Sequence, residues 1–225
     1  AYIDFIYTLP EDAYMFDFQL TGHNANLVLA QNINSLEMQW NQSIPQQERG
    51  RKFEERYARL QYMTVGLEQE RMSEAKHDTQ RESAKVRWIG YTDQFFSTVM
   101  IADDAFTSSE FESTPGNAYT RYIKHYQTKT NVAFDLTGAT PTAFRYFMGP
   151  NNYNLLKAYD NDAPDETQKL HLQELILQGW SIIIWINQIF SFPVFDWLLR
   201  FGLPIGWVIF LMTLIIKLII LPFVF

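Results

Sequence analysis

The stretch Phe16-Asp-Phe-Gln-Leu20 alternates large apolar side chains with polar ones, and Leu36-Glu-Met-Gln-Trp40 repeats that alternation. Because successive side chains of a β-strand point to opposite faces, both stretches predict strands that bury one face. Turn-forming residues follow each of them, at 21–24 and at 41–45. The pattern therefore predicts a sheet with one face packed on a core.

Further stretches of the same kind follow, mostly short and rich in β-branched or aromatic residues. They cover residues 2–9, 57–64, 86–89, 97–101, 119–126, 132–136 and 144–148. So many short strands predict an all-β sandwich, with the aromatic residues, 16% of the chain, packed between two sheets. Phe95 and Phe96 lie between two of these stretches, and we expect them in the sandwich core.

Two regions depart from the strand pattern. Residues 68–85 carry many charges and few large apolar side chains, which predicts a solvated hairpin or loop. Residues 151–159 have apolar side chains at helical spacing and are predicted to form a short helix, as are residues 167–177.

Residues 207–225 form an apolar run in which Thr213 and Lys217 stand out as polar side chains. With the two residues in front of it, the run reaches roughly 30 Å as a helix at about 1.5 Å per residue, which is enough to cross a bilayer. We therefore predict one transmembrane helix over 204–225.

Thr213 and Lys217 are four residues apart and share one face of that helix. A charge in so apolar a segment needs a watery cavity or a partner, which makes Lys217 the first candidate functional residue. The alternative is a lysine whose long side chain snorkels to the lipid headgroups. The sequence by itself leaves both interpretations open.

Residues 179–203 mix Trp180, Trp185 and Trp197 with polar side chains. Tryptophan is enriched at the boundary between membrane and water, so these three are predicted membrane-interface residues. A second spanning helix would place three polar side chains at membrane depth, and we therefore favour an amphipathic helix that lies in the interface. The polar side chains are those of Asn187, Gln188 and Asp196.

Charge separates the tail from the rest of the chain, because only Asp196, Arg200 and Lys217 follow Leu177 among the charged residues. The preceding part holds 16 of the 18 basic and 24 of the 25 acidic residues, a net charge of −8, which argues against nucleic acid as a partner. The chain has no cysteine, which excludes disulfides and thiol catalysis. Its four histidines have no ligand spacing, so we expect neither metal nor cofactor.

Several segments, taken together, form a recognisable set of motifs. Trp88-Ile-Gly-Tyr-Thr-Asp-Gln-Phe-Phe-Ser-Thr-Val-Met-Ile-Ala102 leads from a tryptophan through an aromatic pair into a strand. Phe144-Arg-Tyr-Phe-Met-Gly-Pro150 precedes Leu155-Leu-Lys157, Gly179-Trp180 opens the amphipathic segment, and Thr213-Leu-Ile-Ile-Lys-Leu-Ile-Ile-Leu-Pro222 lies in the apolar run. Over most of its length the chain thus resembles the YidC membrane insertases, in the form seen in the Bacteroidetes group.

The resemblance implies a periplasmic β-sandwich related to galactose mutarotase, incomplete in this chain, then an interfacial helix and the first helix of the insertase core. It implies a chaperone that assists insertion of nascent proteins into the membrane through a hydrophilic groove with a basic residue. Lys217 takes that residue's place, and Thr213 falls on the same groove wall. The family usually has arginine there, so this chain offers a point charge without planar bidentate recognition.

The implied partners are nascent membrane proteins, the lipid bilayer, components of the Sec translocon and, through segments outside this chain, the ribosome. The implied location is the bacterial inner membrane, multi-pass in the full-length protein, with residues 1–178 in the periplasm. We expect a sandwich domain over 1–160, a helical connector over 161–178, an interfacial helix over 179–203 and the spanning helix over 204–225. No bond is made or broken in such a mechanism, so we expect no enzyme.

Two other functions stay open. The first is a membrane-anchored carbohydrate-binding or epimerase-like β-sandwich module, since the related fold hosts such activities. It would need a histidine and a carboxylate that converge in a cleft, and nothing in the sequence marks such a pair. The second is an anchored scaffold whose tail only tethers it, in which case Lys217 snorkels.

Overall fold

The computed structural model describes residues 1–176 and 186–224, and the chain divides into two compact units, Ala1–Ile176 and Leu177–Phe225. The first unit, called the body below, is built mainly of antiparallel strands. They are β1 (Tyr2–Thr8), β2 (Met15–His23), β3 (Ser35–Pro45), β4 (Arg59–Thr64), β5 (Gln69–Arg71), β6 (Asp78–Glu82), β7 (Val86–Thr92), β8 (Phe96–Pro115), β9 (Tyr122–Ala133) and β10 (Thr142–Pro150). Its short helices are α1 (Arg51–Glu54) and α2 (Tyr153–Ala158), with 3-10 turns at Ala25–Leu27, Glu166–Gln168 and Leu172–Leu175.

The strands form two sheets that share β8. The large sheet has the order β1-β2-β10-β8-β7-β4-β5, and the small sheet places β9 between β3 and the second half of β8, with β6 on the far side. Between Phe106 and Glu110, β8 passes from one sheet to the other, at a bulge where Ser108 has a φ of 51°. A bulge bends a strand in this way, and the two sheets pack face to face around a common core. The predicted mainly β sandwich is confirmed.

The core between the sheets is aromatic, as predicted. Trp40 of the small sheet stacks on Tyr91 of the large sheet with ring centroids 3.9 Å apart, and Tyr62 stacks on Phe111 at 4.2 Å. The buried hydroxyl of Tyr91 donates to the hydroxyl of Thr128 over 2.7 Å, so this polar group is satisfied inside the core.

A second core covers the outer face of the large sheet. There α2 and the segment 166–176, called the strap below, pack on side chains that point away from the small sheet. Helix α2 confirms the helix predicted over 151–159, and the Asn152 side chain caps it by accepting a hydrogen bond from the Leu155 amide at 3.1 Å. The buried members are Met63, Trp88, Val99, Ile101, Phe147, Leu156, Leu170, Leu172 and Leu175.

The helix predicted over 167–177 is wrong, because the strap holds only two 3-10 turns in the part of it that the structure describes. Side chains of the sheet and the Asp160 carboxylate bind several of its backbone groups, and the bonds between its own backbone groups join residues three apart. His171 takes a left-handed conformation with a φ of 50°, which interrupts any regular helix between the turns.

The solvated hairpin or loop predicted over 68–85 is also wrong in part, since this region contains β5 and β6, which pair with β4 and β8 and not with each other. Both are edge strands, β5 of the large sheet and β6 of the small one. Low apolar content limits what such a strand buries, but it does not prevent its backbone from pairing with one neighbour. Charged residues on an edge strand also oppose further pairing.

Two further expectations need correction. Residues 119–126 and 132–136 do not form separate strands, because β9 runs from Tyr122 to Ala133 without a break. Phe95 and Phe96 lie outside the core, 42% and 52% exposed, at the turn between β7 and β8. The Asp93 carboxylate accepts hydrogen bonds from both of their amides, at 2.7 and 2.6 Å, and this local bonding fixes the turn.

The second unit is helical where the structure describes it. A π-turn at Asn187–Ser191 leads into α3 (Phe192–Leu199), and α4 (Ile205–Val224) follows after a turn in which Gly202 has a φ of 68°. Pro193 explains the π-turn, because it cannot donate to the Ile189 carbonyl and its ring would clash there in a regular helix.

Candidate functional site

Helix α4 is the one described helix that is long and apolar enough to cross a membrane. Exposure differs around this helix. Val208 is fully buried, and Leu211, Met212, Ile215 and Ile216 are half-buried on the same side. Thr213 and Lys217 are exposed on the other side of the helix.

The polar face of α4 combines a backbone-bonded hydroxyl with a charge one turn further on. The Thr213 hydroxyl donates to the Ile209 carbonyl over 2.8 Å, the usual way in which a threonine is accommodated in an apolar helix. The hydroxyl oxygen keeps its lone pairs for an outside donor. Pro222 lies inside the same helix and has no amide hydrogen, so the Leu218 carbonyl lacks its usual helical donor.

Aromatic rings surround the turn that precedes α4. Trp197 is 54% exposed and meets Phe201 edge to face with ring centroids 5.0 Å apart, and Trp207 meets Phe210 in the same way at 5.8 Å. Trp197 was predicted from the sequence as an interface residue, but Phe201, Trp207 and Phe210 were not. Their position could have indicated it, because all four aromatic residues flank the short turn around Gly202.

Only some of the other residues considered for the membrane interface lie in the part of the chain that the structure describes. Trp180 and Trp185 lie outside the described residues. Asn187 and Gln188 fall in the π-turn, and the Asn187 side chain is half-buried, as is Asp196 in α3.

One cavity of the body lacks the histidine that an acid and base pair of the epimerase kind would need. This cavity of about 580 Å³ is lined by Asp103, Asp104 and Asp135 but by no histidine. Asp135 bonds to its own loop, with its carboxylate accepting from the Thr137 hydroxyl and amide and from the Thr140 amide, and these bonds lower its pKa. Among the described residues no three histidines, aspartates or glutamates cluster as metal ligands.

The four histidines of the body all lie outside this cavity. His23 pairs with Asp4 at 2.9 Å on the outermost strands of the large sheet, and His125 contacts the Ser43 hydroxyl at 2.7 Å on the exposed side of the small sheet. Neither pair lines the cavity described above. This cavity therefore does not support an acid and base site of the epimerase kind.

Comparison with known proteins finds one family along the whole chain. The family model described as the YidC periplasmic domain matches residues 1–192. A membrane protein insertase YidC of Azobacteroides pseudotrichonymphae is 42% identical over 98% of this chain and 36% of its own length, and that of Parabacteroides distasonis is 40% identical over 99% of this chain and 35% of its own length. A more distant relative, from Chlorobium luteolum, is 24% identical over 98% of this chain.

The chain thus spans about a third of the length of the relatives that it matches. The match nevertheless runs through the body, the aromatic turn and α4, since it covers nearly every residue of this chain. The periplasmic family model accounts for the sandwich, and an apolar helix long enough to span a membrane follows it. The chain belongs to the YidC family of membrane protein insertases.

Proposed function

We propose that this chain supplies the periplasmic sandwich and the first core helix of an insertase that moves nascent proteins into the bacterial inner membrane. The observation that carries the proposal is the pair of polar side chains on α4. Thr213 and Lys217 lie one turn apart, both exposed, on an otherwise apolar helix long enough to cross a membrane. An exposed polar stripe of this kind can form one wall of a hydrophilic groove.

The groove acts by lowering a solvation cost. A single charged side chain at the centre of a spanning helix costs about 2.5–3.5 kcal/mol on insertion scales, and an unpaired polar group costs roughly 2–7 kcal/mol. Lys217 offers a positive charge to acidic or carbonyl groups of the passing chain, and the Thr213 oxygen offers an acceptor one turn away. The hydrophilic part of a nascent chain then meets partners below the membrane surface while its apolar part enters lipid.

The depth of Lys217 fits such a role. It lies twelve residues after Ile205, which is about 18 Å along a helix that rises about 1.5 Å per residue. With the body outside, this places the charge in the inner half of a hydrocarbon core of about 30 Å, where a groove open to the cytoplasm would hydrate it. We propose a multi-pass complete protein in which other helices form the remaining walls.

The surroundings of α4 complete the proposal. The segment 179–203 lies along the outer membrane surface, with Trp180, Trp185 and Trp197 at the headgroups and Arg200 close to lipid phosphates. The sandwich over 1–160 and the connector over 161–178 lie in the periplasm. Substrates are nascent membrane proteins, delivered by the ribosome or by the Sec translocon, and no covalent chemistry is involved.

Substitution of Lys217 tests the proposal. In cells depleted of the native insertase, we expect Lys217→Arg to keep insertion, Lys217→Ala to lose it for substrates with acidic translocated segments, and Lys217→Glu to be worse through repulsion of like charges. Leu218→Ala, next to it and without charge, is the matched control. Full rescue by Lys217→Ala at normal protein level would instead assign the lysine a snorkelling role, since removing a charge favours helix insertion.

A further inference from the structure

Two loops meet at the end of the sandwich where β9 begins. Residues 46–57 lead from β3 through α1 towards β4, and residues 116–122 join β8 to β9; together they are called the platform below. The guanidinium of Arg51 links the two loops and also donates to the Glu55 carboxylate over 2.8 Å. Between 2.8 and 3.2 Å it donates to the backbone carbonyls of Gly116, Asn117, Thr120 and Tyr122. So many bonds from one charged side chain fix the loops relative to each other.

The acidic side chains of the platform are mostly occupied by contacts within it. Glu54 is buried, and its carboxylate accepts from the amide of Gln47 at 2.9 Å and from that of Glu48 at 3.2 Å. Glu55 pairs with Arg51. Of the three acidic residues, only Glu48 is both exposed and without an ion pair in the part of the chain that the structure describes.

The basic side chains of the platform face solvent. Apart from Arg51, each of them is exposed, and none makes an ion pair with any residue that the structure describes. They are Arg49, Lys52, Arg56 and Arg121. Four positive groups against one negative group give the exposed surface of the platform a net charge of +3. The body as a whole carries −8, so the platform is a positive patch on an acidic domain.

Aromatic rings lie among these charges. Phe53 of α1 is 52% exposed, and Tyr119, in the loop between β8 and β9, is 98% exposed. Because Arg51 fixes both loops, the rings are held at the surface. Basic and aromatic side chains on one surface are typical of segments that lie on a membrane, where the rings enter the headgroup layer and the cations bind phosphates.

Two features favour lipid over an acidic protein as the partner. A hairpin loop with an almost fully exposed ring suits headgroups that can move apart around it, whereas aromatic anchors at protein interfaces fill pockets of matching shape. The body is also linked through the chain to α4, which is long and apolar enough to cross a bilayer. This link keeps a bilayer close to the body, so that even a weak attraction between basic residues and anionic lipids is effective.

We infer that the platform binds the anionic phospholipid headgroups of the bilayer that α4 crosses, as a membrane contact of the body itself. Phe53 and Tyr119 enter the headgroup layer, and Lys52 and Arg121 lie among the phosphates. The inference rests on the proposed span of α4 but not on the role of Lys217, so the insertion assay and the lipid assay below can fail separately.

Quenching by labelled lipids tests the inference in the full-length protein. Tyr119→Cys, as the only cysteine, carries an aromatic bimane label in place of the ring. The protein is reconstituted in vesicles of phosphatidylcholine and phosphatidylglycerol that contain a lipid with a nitroxide on its headgroup. Ala139→Cys is the matched control, because it is exposed in the loop after β9, and β9 spans roughly 36 Å at about 3.3 Å per residue. The label at Tyr119 should be quenched about threefold more strongly than the control, and equal quenching would overturn the inference.

Charge distinguishes binding to anionic lipid from other causes of proximity. Quenching at Tyr119 should fall to the level of the control in phosphatidylcholine alone, at high salt, and in the double variant Lys52→Glu with Arg121→Glu. Lys85→Glu with Lys129→Glu makes the same change of charge at exposed positions outside the platform and should keep the quenching.

Two results would contradict the inference. The first is quenching at Tyr119 that is the same with and without phosphatidylglycerol, a comparison that needs no charge variant. The second is weak quenching in anionic vesicles together with crosslinks in cells from p-benzoylphenylalanine at Tyr119 to another protein. That result would assign the platform to a protein partner instead.

Discussion

The indole nitrogen of Trp88 donates a hydrogen bond to the carbonyl of Leu170 over 2.7 Å, inside the core on the outer face of the large sheet. Other side chains of the sheet hold the strap in the same way. Arg87 donates to the Lys169 carbonyl at 3.1 Å, and Gln61 donates to the Leu175 carbonyl at 3.1 Å. The strap is therefore fixed by side chains of β4 and β7, although it has almost no regular structure of its own.

Removal of the indole donor should loosen the strap. In Trp88→Phe the aromatic ring stays but the Leu170 carbonyl loses its buried partner, at an expected cost of about 1–3 kcal/mol of unfolding free energy. Hydrogen exchange of residues 166–176 should accelerate more than exchange of β9. Tyr119→Phe, which changes an exposed aromatic residue, is the control, and unchanged exchange in Trp88→Phe would contradict the role of this bond.

Asp160 should matter to the strap through its charge as well as its geometry. Its carboxylate accepts hydrogen bonds from the Leu170 amide at 2.6 Å and from the His171 amide at 3.1 and 3.2 Å. Asp160→Ala leaves a buried amide without an acceptor, so we expect a loss of about 1–3 kcal/mol, whereas Asp160→Asn keeps one acceptor oxygen and should lose less. Urea denaturation of both variants measures the order, and an unchanged stability of Asp160→Asn would argue against a charge-assisted contribution.

The strap also shows where sequence reasoning stops. The alternation at Phe16-Asp-Phe-Gln-Leu20 was sufficient to predict β2, because a strand buried on one face has to follow the period of two. Leu170, Leu172 and Leu175 show no such period, because Trp88, Gln61 and Asp160 decide the path of this segment from distant positions in the sequence. Local patterns cannot predict contacts of that range, and a helix was predicted instead.

Buried tyrosines should make the body sensitive to alkali. Burial raises the pKa of Tyr62 to about 12, with the carboxylate of Glu82 adding to the effect, and burial also raises the pKa of Tyr146 to about 12. Both groups start from about 10.0 in the unfolded chain, so the folded state holds more protons between pH 10 and pH 12. Their contribution to stability is present below pH 10 and is lost as the pH rises through 12.

The measurement is the unfolding free energy across that pH range. It should fall from pH 10 to pH 12 in the parent protein and fall less steeply in Tyr62→Phe, while Tyr119→Phe should follow the parent. Burial lowers the pKa of Lys124, so this lysine contributes with the opposite sign, but only up to its unfolded value of 10.5. If the unfolding free energy of Tyr62→Phe declined as steeply as that of the parent, Tyr62 would not be responsible for the decline.

The sequence predicts the shared helix face of Thr213 and Lys217 but not the contacts around it. A lysine and a threonine four residues apart in an apolar run identify a polar helix face without any structure, because helical geometry alone brings them together. The ring pairs Trp197 with Phe201 and Trp207 with Phe210 form on the two sides of a turn, and the position of that turn depends on Gly202 and Pro204. The hydrogen bond from Thr213 to the Ile209 carbonyl likewise depends on a side-chain rotamer, which periodicity does not specify.

Cysteine labelling should locate the segment before α4. If it lies along the outer membrane surface, cysteines at Asn187, Gln188 and Asp196 should react with a membrane-impermeant maleimide added from the periplasmic side. Leu214→Cys, within α4 and flanked by apolar residues, is the control that should stay unreactive. Protection of all three positions would indicate a second spanning segment instead.

Thr213 should act together with Lys217 and not alone. Thr213→Val keeps the shape of the side chain but removes the hydroxyl, and with it the acceptor that the polar face of α4 offers one turn from the charge. We expect a modest loss of insertion, smaller than that of Lys217→Ala, because a neutral hydrogen bond contributes about 0.5–1.5 kcal/mol whereas a bond to a charged group contributes about 1.5–3 kcal/mol.

The double variant with Thr213→Val and Lys217→Ala distinguishes a shared binding site from two independent effects. If both side chains bind the same part of a substrate, Thr213→Val should cost little further insertion when Lys217 is already alanine. Additive losses would mean that Thr213 acts elsewhere, for example through the bend that its bond to Ile209 imposes on the helix. Thr213→Ser, which retains the hydroxyl, should keep activity in the first case. The measurement is the inserted fraction of an acidic substrate in cells depleted of the native insertase, compared at equal levels of each variant.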